Sequence, residues 1–158
     1  MVASGEGLGR TLAAVRSEVS NPTGGLVFVA GTLTQDVPGI AEQVRAAWRG
    51  VPTCVVPAAG VLSERGEIEG APAASGLLWS GGKVAPLSLG DSAPPSALRE
   101  ALGRLVGPRA GTVLLFPRSD FSSDMLEGLS AAAPSACIFG AGTVGSAAVE
   151  IGRASCRE

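Results

Sequence analysis

Histidine and tyrosine are absent from this chain. Without histidine there is no Ser-His-Asp or Cys-His triad, no imidazole-ligated metal and no use of the commonest general base. Cysteine is scarce as well: Cys54, Cys137 and Cys156 are scattered rather than spaced as a disulfide framework, which fits a reducing compartment. A single lysine, Lys83, stands against eleven arginines in a chain rich in Ala, Gly and Pro, a bias that reads as a GC-rich genome. No apolar run approaches the roughly 20 residues of a membrane helix. The start, Met1-Val2-Ala3-Ser4-Gly5-Glu6, carries no basic segment leading into an apolar one, as a signal peptide would. Together these features predict a cytoplasmic protein. The net charge of −2 gives no basic surface for a nucleic acid or a membrane. What remains is a chain of 158 residues, 46% hydrophobic and 16% charged, the size of one domain. Such a chain buries roughly 70% of its unfolded surface without staples.

The last nine residues, Glu150 to Glu158, have a different character. Reverse-translated, they resemble a read into a widely used sequencing adapter, although Glu150 itself also suits a native position. Residues 150–158 are therefore set aside as a scar, and with them Cys156. The native protein is expected to run beyond Val149.

Along the chain, Leu8, Leu12, Val15 and Val19 fall at helical spacing before Asn21-Pro22. Leu26–Val29 reads as a buried strand between glycines. Asp36 suits the N-cap of a helix whose inner face carries Val37, Ile40, Ala41, Val44 and Trp48, ending at Gly50. Thr53–Val56 is the next strand, followed by Pro57-Ala58-Ala59-Gly60. Gly66–Glu69 reads as a short edge strand. Ser75–Ser80 and Lys83–Leu89 read as an antiparallel hairpin about Gly81-Gly82, since glycine accepts the positive φ of a two-residue turn. Leu98, Ala101, Leu102 and Leu105 mark a helix, Thr112–Phe116 a strand, Ser122 to Leu129 a helix, and Ala136–Phe139 the last strand.

Residues 26–61 and 113–145 echo each other: strand, polar loop, helix, strand, small-residue turn. Short strand–helix–strand units favour parallel pairing with a right-handed crossover. The predicted fold is α/β, a mixed sheet of strand–helix–strand units with an antiparallel hairpin and with helices packed on the sheet.

Four patterns carry possible chemistry. Gly140-Ala141-Gly142-Thr143-Val144-Gly145 spells GxGxxG after a strand. In a dinucleotide site those glycines admit pyrophosphate to the backbone at a helix N-terminus, and an acidic residue about 20 positions on completes the fingerprint. The alternative is a glycine-rich turn at a strand's carboxyl end, where ligands of open α/β sheets gather, facing Ala58-Ala59-Gly60. Glu67 and Glu69 share one face of their strand. They are a pair for acid–base work, the solvated side of an edge, or a partner for an amino acid's ammonium. Thr32, Thr34 and Asp36, like Ser119 and Asp120, follow equivalent strands, where capping and ligand contact compete. Cys54 and Cys137, on corresponding strands, read as core.

In order and spacing, several segments resemble the N-terminal part of FIST-type sensory domains. They are Leu26-Val27-Phe28-Val29-Ala30-Gly31, Asp36 with its helix, Val55 to Leu62 and Glu67-Ile68-Glu69-Gly70. Val113-Leu114-Leu115-Phe116-Pro117, Phe121, Pro134 and Ile138 to Gly142 continue the series. The resemblance implies a bacterial signal-transduction module that binds a small ligand such as an amino acid without catalysis, needs no cofactor, and joins a C-terminal domain of the same chain. Many members carry a Gly-Cys-Ser/Thr run where this chain has Val55-Val56-Pro57, which implies a different ligand preference. The ligand contacts expected are Pro57, Ala58, Ala59, Gly60, Gly140, Gly142 and Gly145, with Thr32, Asp36, Glu67, Glu69, Ser119 and Asp120 as polar help. Two other readings stand beside it: a nucleotide-dependent enzyme using the GxGxxG turn, and an interaction domain without a ligand.

Overall fold

The helical period of Leu8, Leu12 and Val15 becomes the inner face of α1 (Gly5–Glu18), and the chain leaves that helix through Asn21, in the left-handed region at φ 49°. The structure, a computed structural model, describes residues 5–63, 66–87, 94–106, 111–117, 123–144 and 149–151. These fall into two compact units, residues 1–87 with 143–158 and residues 88–142.

In the first unit, β1 (Gly24–Ala30) leads through a 3-10 turn (Gly31–Asp36) into α2 (Val37–Ala47) and then β2 (Thr53–Pro57). β1 and β2 pair in parallel, Gly25 beside Thr53 and Val29 beside Pro57. β3 (Gly60–Ser63) and β4 (Gly66–Glu69) form an antiparallel hairpin. β5 (Ala73–Trp79) then returns antiparallel to β1, and β8 (Val149–Ile151) lies antiparallel to β2, so the sheet order is β5-β1-β2-β8. Glu150 and Ile151 of β8 belong to the adapter-like tail.

Side chains alternate across a strand, and here the alternation sorts two clusters. Val27, Val29, Val55, Ala74 and Leu78 point at α1 and α2 and pack with Leu8, Leu12, Ile40, Val44 and Trp48. Ala30, Ala73 and Phe28 point the other way, onto Val61 and Ile68 of the hairpin. The Trp48 indole is 1% exposed and donates its Nε1–H to the Leu12 carbonyl at 2.8 Å, tying the end of α2 to α1. It lies over the two glycines Gly25 and Gly76, where added side chains would collide with the ring.

Asp36 does cap α2: its Oδ1 accepts the Gly39 backbone N–H at 2.9 Å, with Pro38 harmless in the first turn. Replacing Asp36 by alanine should lower stability by about 1 kcal/mol, and Asp36→Asn should restore most of it. Urea midpoints of the three proteins check this. An asparagine variant as weak as the alanine one would mean that the carboxylate does more than cap.

The second unit repeats the plan with α3 (Pro95–Leu105), β6 (Gly111–Leu115), α4 (Ser123–Ala132) and β7 (Ala136–Gly140). β6 and β7 are parallel, Gly111 beside Ala136 and Leu115 beside Gly140. Leu102, Leu129 and Ala133 are buried between the helices and Val113, Leu115, Ala136 and Ile138. The mixed α/β architecture expected from the sequence is therefore present.

The antiparallel hairpin lies elsewhere than expected. Gly81 and Gly82 do turn, at φ 92° and 72°, but Lys83–Leu87 forms no strand. The β1 edge takes β5, while Pro86 lacks an amide to offer a ladder and Val84 packs near Gly24 instead. The hairpin is β3–β4, in which Gly66 turns at φ 111°. No helix among the described residues is long and apolar enough to cross a membrane.

Candidate functional site

A parallel pair ends both of its strands on the same side, and the turns that leave those ends form a ready crevice. In the first unit these turns are Gly31–Asp36 after β1 and Ala58–Ala59 after β2. The ladder runs past the end of β2, where the Ala58 N–H donates to the Val29 carbonyl at 2.8 Å. Gly31 has φ 62°, and a Cβ there would stand 2.5 Å from the Ala71 backbone, so only glycine lets the Ala71–Pro72 segment pass so close.

Gly60 is constrained by its neighbour on the hairpin. It pairs with Glu69, and a Cβ on it would lie 2.9 Å from the Glu69 Cγ. The candidate turn Ala58-Ala59-Gly60 and the candidate carboxylate Glu69 are thus brought together, which their separation in sequence did not announce. Glu67 sits one pair further along, beside Leu62. Both glutamates are exposed, and Ile68 between them turns into the hairpin's apolar contact. Pro57 is buried, Ala58 and Gly60 half-buried and Ala59 exposed.

The polar residues after β1 divide between local and open roles. The Thr34 hydroxyl donates to the Gly31 carbonyl at 2.8 Å and Asp36 is spent on its cap, while Thr32 is exposed. Asp36 is therefore a capping residue first.

The GxGxxG segment divides between the units. Gly140 and Gly142 lie at the carboxyl end of β7 in the second unit, where the Ala141 N–H donates to the Leu115 carbonyl at 3.2 Å. Thr143 and Val144 belong to the first unit, and the Val144 N–H donates to the Pro57 carbonyl at 3.2 Å. Thr143 is 8% exposed. Sequence reasoning passed over these two, because among so many small residues nothing marks which amide will meet the end of β2. A dinucleotide fingerprint opens a helix. Here residues 141–144 are irregular and β8 begins at Val149, which leaves too few positions between them for one. Ser119, Asp120 and Gly145 lie outside the described residues.

Cys54 and Cys137 do hold equivalent strand positions, but Cys54 is only half-buried and Cys137 is exposed. The expectation that both are core is corrected for a simple reason. Each sits on the strand face opposite the helices, and the apolar run around it does not say which face is covered. No group of three acidic or cysteine side chains among the described residues could hold a metal ion.

A cavity of about 20 Å³ lies beneath α1, lined by Leu8, Thr11, Val15, Val27, Trp48 and Ala74 among others. It has room for a water molecule, not for a metabolite. A shallow groove between α3 and α4 is lined by Ser96, Arg99, Glu100 and Gly128. Neither is at the strand ends, so the crevice there is open rather than enclosed. Compared with family models, curated proteins and solved structures, the chain matches none.

Proposed function

We propose that the chain is a FIST-like sensory module, and that its first unit binds a small ligand carrying an ammonium group, such as an amino acid, at the carboxyl ends of β1 and β2. The observation that carries this reading is the meeting of Gly60 with Glu69 beside the exposed Ala59, at the mouth of a parallel strand pair. Small residues leave backbone groups reachable, the Glu69 carboxylate supplies a charge for the ammonium, and the exposed Thr32 offers a hydroxyl at the neighbouring turn. Binding shifts a conformational population and leaves the ligand chemically unchanged. The reading places the protein in signal transduction in the cytoplasm, with a further domain of the same polypeptide receiving the change.

Thermal unfolding with each of the common amino acids in turn tests it. A ligand at ten times its Kd stabilises by about 1.4 kcal/mol, which raises Tm by roughly 3 °C in a chain of this size. The rise should vanish in Glu69→Gln, and mass spectrometry should return the ligand intact. No rise with any amino acid, or a rise indifferent to Glu69→Gln, would overturn the proposal.

A further inference from the structure

The two units share more than an order of elements. In the first, Gly25 to Val29 run beside Thr53 to Pro57; in the second, Gly111 to Leu115 run beside Ala136 to Gly140. In each, the first residue past the second strand donates its N–H to the last residue of that register: Ala58 to Val29, Ala141 to Leu115. Val27 and Val29 face the helices in one, Val113 and Leu115 in the other. The equivalence is therefore residue by residue: Leu26 corresponds to Thr112, Phe28 to Leu114, Cys54 to Cys137 and Val56 to Phe139.

In the first unit this arrangement is completed on the far edge of β1. There β5 pairs antiparallel along its whole length, with Leu77 beside Leu26 and Ser75 beside Phe28, and the hairpin lays Val61 and Ile68 on Phe28. In the second unit, among the described residues, no strand pairs with the far edge of β6. Leu114 and Phe139, on the face away from α3 and α4, are 43% and 60% exposed. Backbone groups alternate as side chains do. Since the Leu115 carbonyl accepts from Ala141, the N–H and C=O of Thr112 and Leu114 aim outward, as those of Leu26 and Phe28 aim at β5. Neither strand carries a charge or a proline. Edges that must stay single usually carry such residues, and parallel sheets are seldom left open on a face.

We propose that the far edge of β6 is a docking site for an antiparallel, aliphatic β-strand of the chemistry that β5 presents to β1. Recognition is by strand addition: main-chain hydrogen bonds to Thr112 and Leu114 supply the pairing, and apolar contact with Leu114 and Phe139 supplies the choice of partner.

The test uses the whole chain, isotope-labelled, and a synthetic peptide of residues 72–80 with solubilising lysines at its ends. Amide exchange is followed with and without peptide. Thr112 and Leu114 should exchange freely in the chain alone and slow by about tenfold or more at saturating peptide, while Val113, already bonded to β7, stays as it was. Leu114→Glu should abolish the effect, with unchanged Val113 protection reporting that the unit is still folded. Two results overturn the proposal. One is a peptide that leaves Thr112 and Leu114 unprotected in the wild-type chain. The other is protection of both amides without peptide in a chain that sediments as a dimer, which would assign the edge to a second copy.

Discussion

Trp48→Ala is expected to destabilise the first unit by about 3–5 kcal/mol, the range for truncating a large buried aromatic. Domains are stable by only about 5–15 kcal/mol, so much of the chain should then be unfolded at room temperature. Two effects add. The indole fills the junction of α1, α2, β1 and β5, over Gly25 and Gly76, and those glycines have no side chains with which to refill the space. Its N–H also holds the Leu12 carbonyl at 2.8 Å. Trp48→Phe isolates the second effect: it retains most of the volume and should cost about 1–3 kcal/mol, the penalty for an unmet buried acceptor plus a small void. Urea unfolding followed by far-UV circular dichroism measures both. Equal losses in the two variants would show that the hydrogen bond, not the ring, sets the stability.

Gly31→Ala is expected to rank next, at roughly 2–4 kcal/mol. A left-handed residue other than glycine costs about 1–2 kcal/mol, and forcing an atom into filled space adds about 1–3 kcal/mol. Both apply, because Gly31 has φ 62° and the added Cβ would stand 2.5 Å from the Ala71 backbone, which cannot rotate aside as a side chain can. Gly50→Ala is the control. Gly50 has φ 79° and nothing within 4 Å of its would-be Cβ, so only the backbone penalty of about 1 kcal/mol remains. A Gly31 variant no weaker than the Gly50 variant would mean that the close approach of Ala71–Pro72 is not a feature of the folded protein. The result bears on function as well, since that approach closes one side of the crevice at which Thr32 stands.

Most of the regular structure could be read from spacing. The strand expected at Leu26–Val29 is Gly24–Ala30, and that expected at Ala136–Phe139 is Ala136–Gly140. Asp36 was legible as a cap because the need for an acceptor at a helix start is a local one. The hairpin expected about Gly81-Gly82 failed for the opposite reason. Two glycines announce a turn, but whether the chain beyond pairs back depends on what else seeks the same edge, and β5 had already found β1. Cys137 failed likewise: an apolar strand advertises burial, and only the placement of α3 and α4 decides which of its faces is covered. Of the candidate site, the small-residue turn after β2 was legible from composition, but its juxtaposition with Glu69 was not.

The sequence by itself determined the element types, the caps and stops of helices, and the doubling of a strand–helix–strand plan. All of these follow from dihedral preferences and from apolar periods of a few residues. Tertiary structure alone decided that β5 joins β1, that Val144 meets the carbonyl of Pro57, and that Gly60 lies against Glu69. Those pairings join residues far apart in the chain. They are selected by which edges and faces remain to be satisfied once the nearer contacts have formed, a competition that no local pattern records.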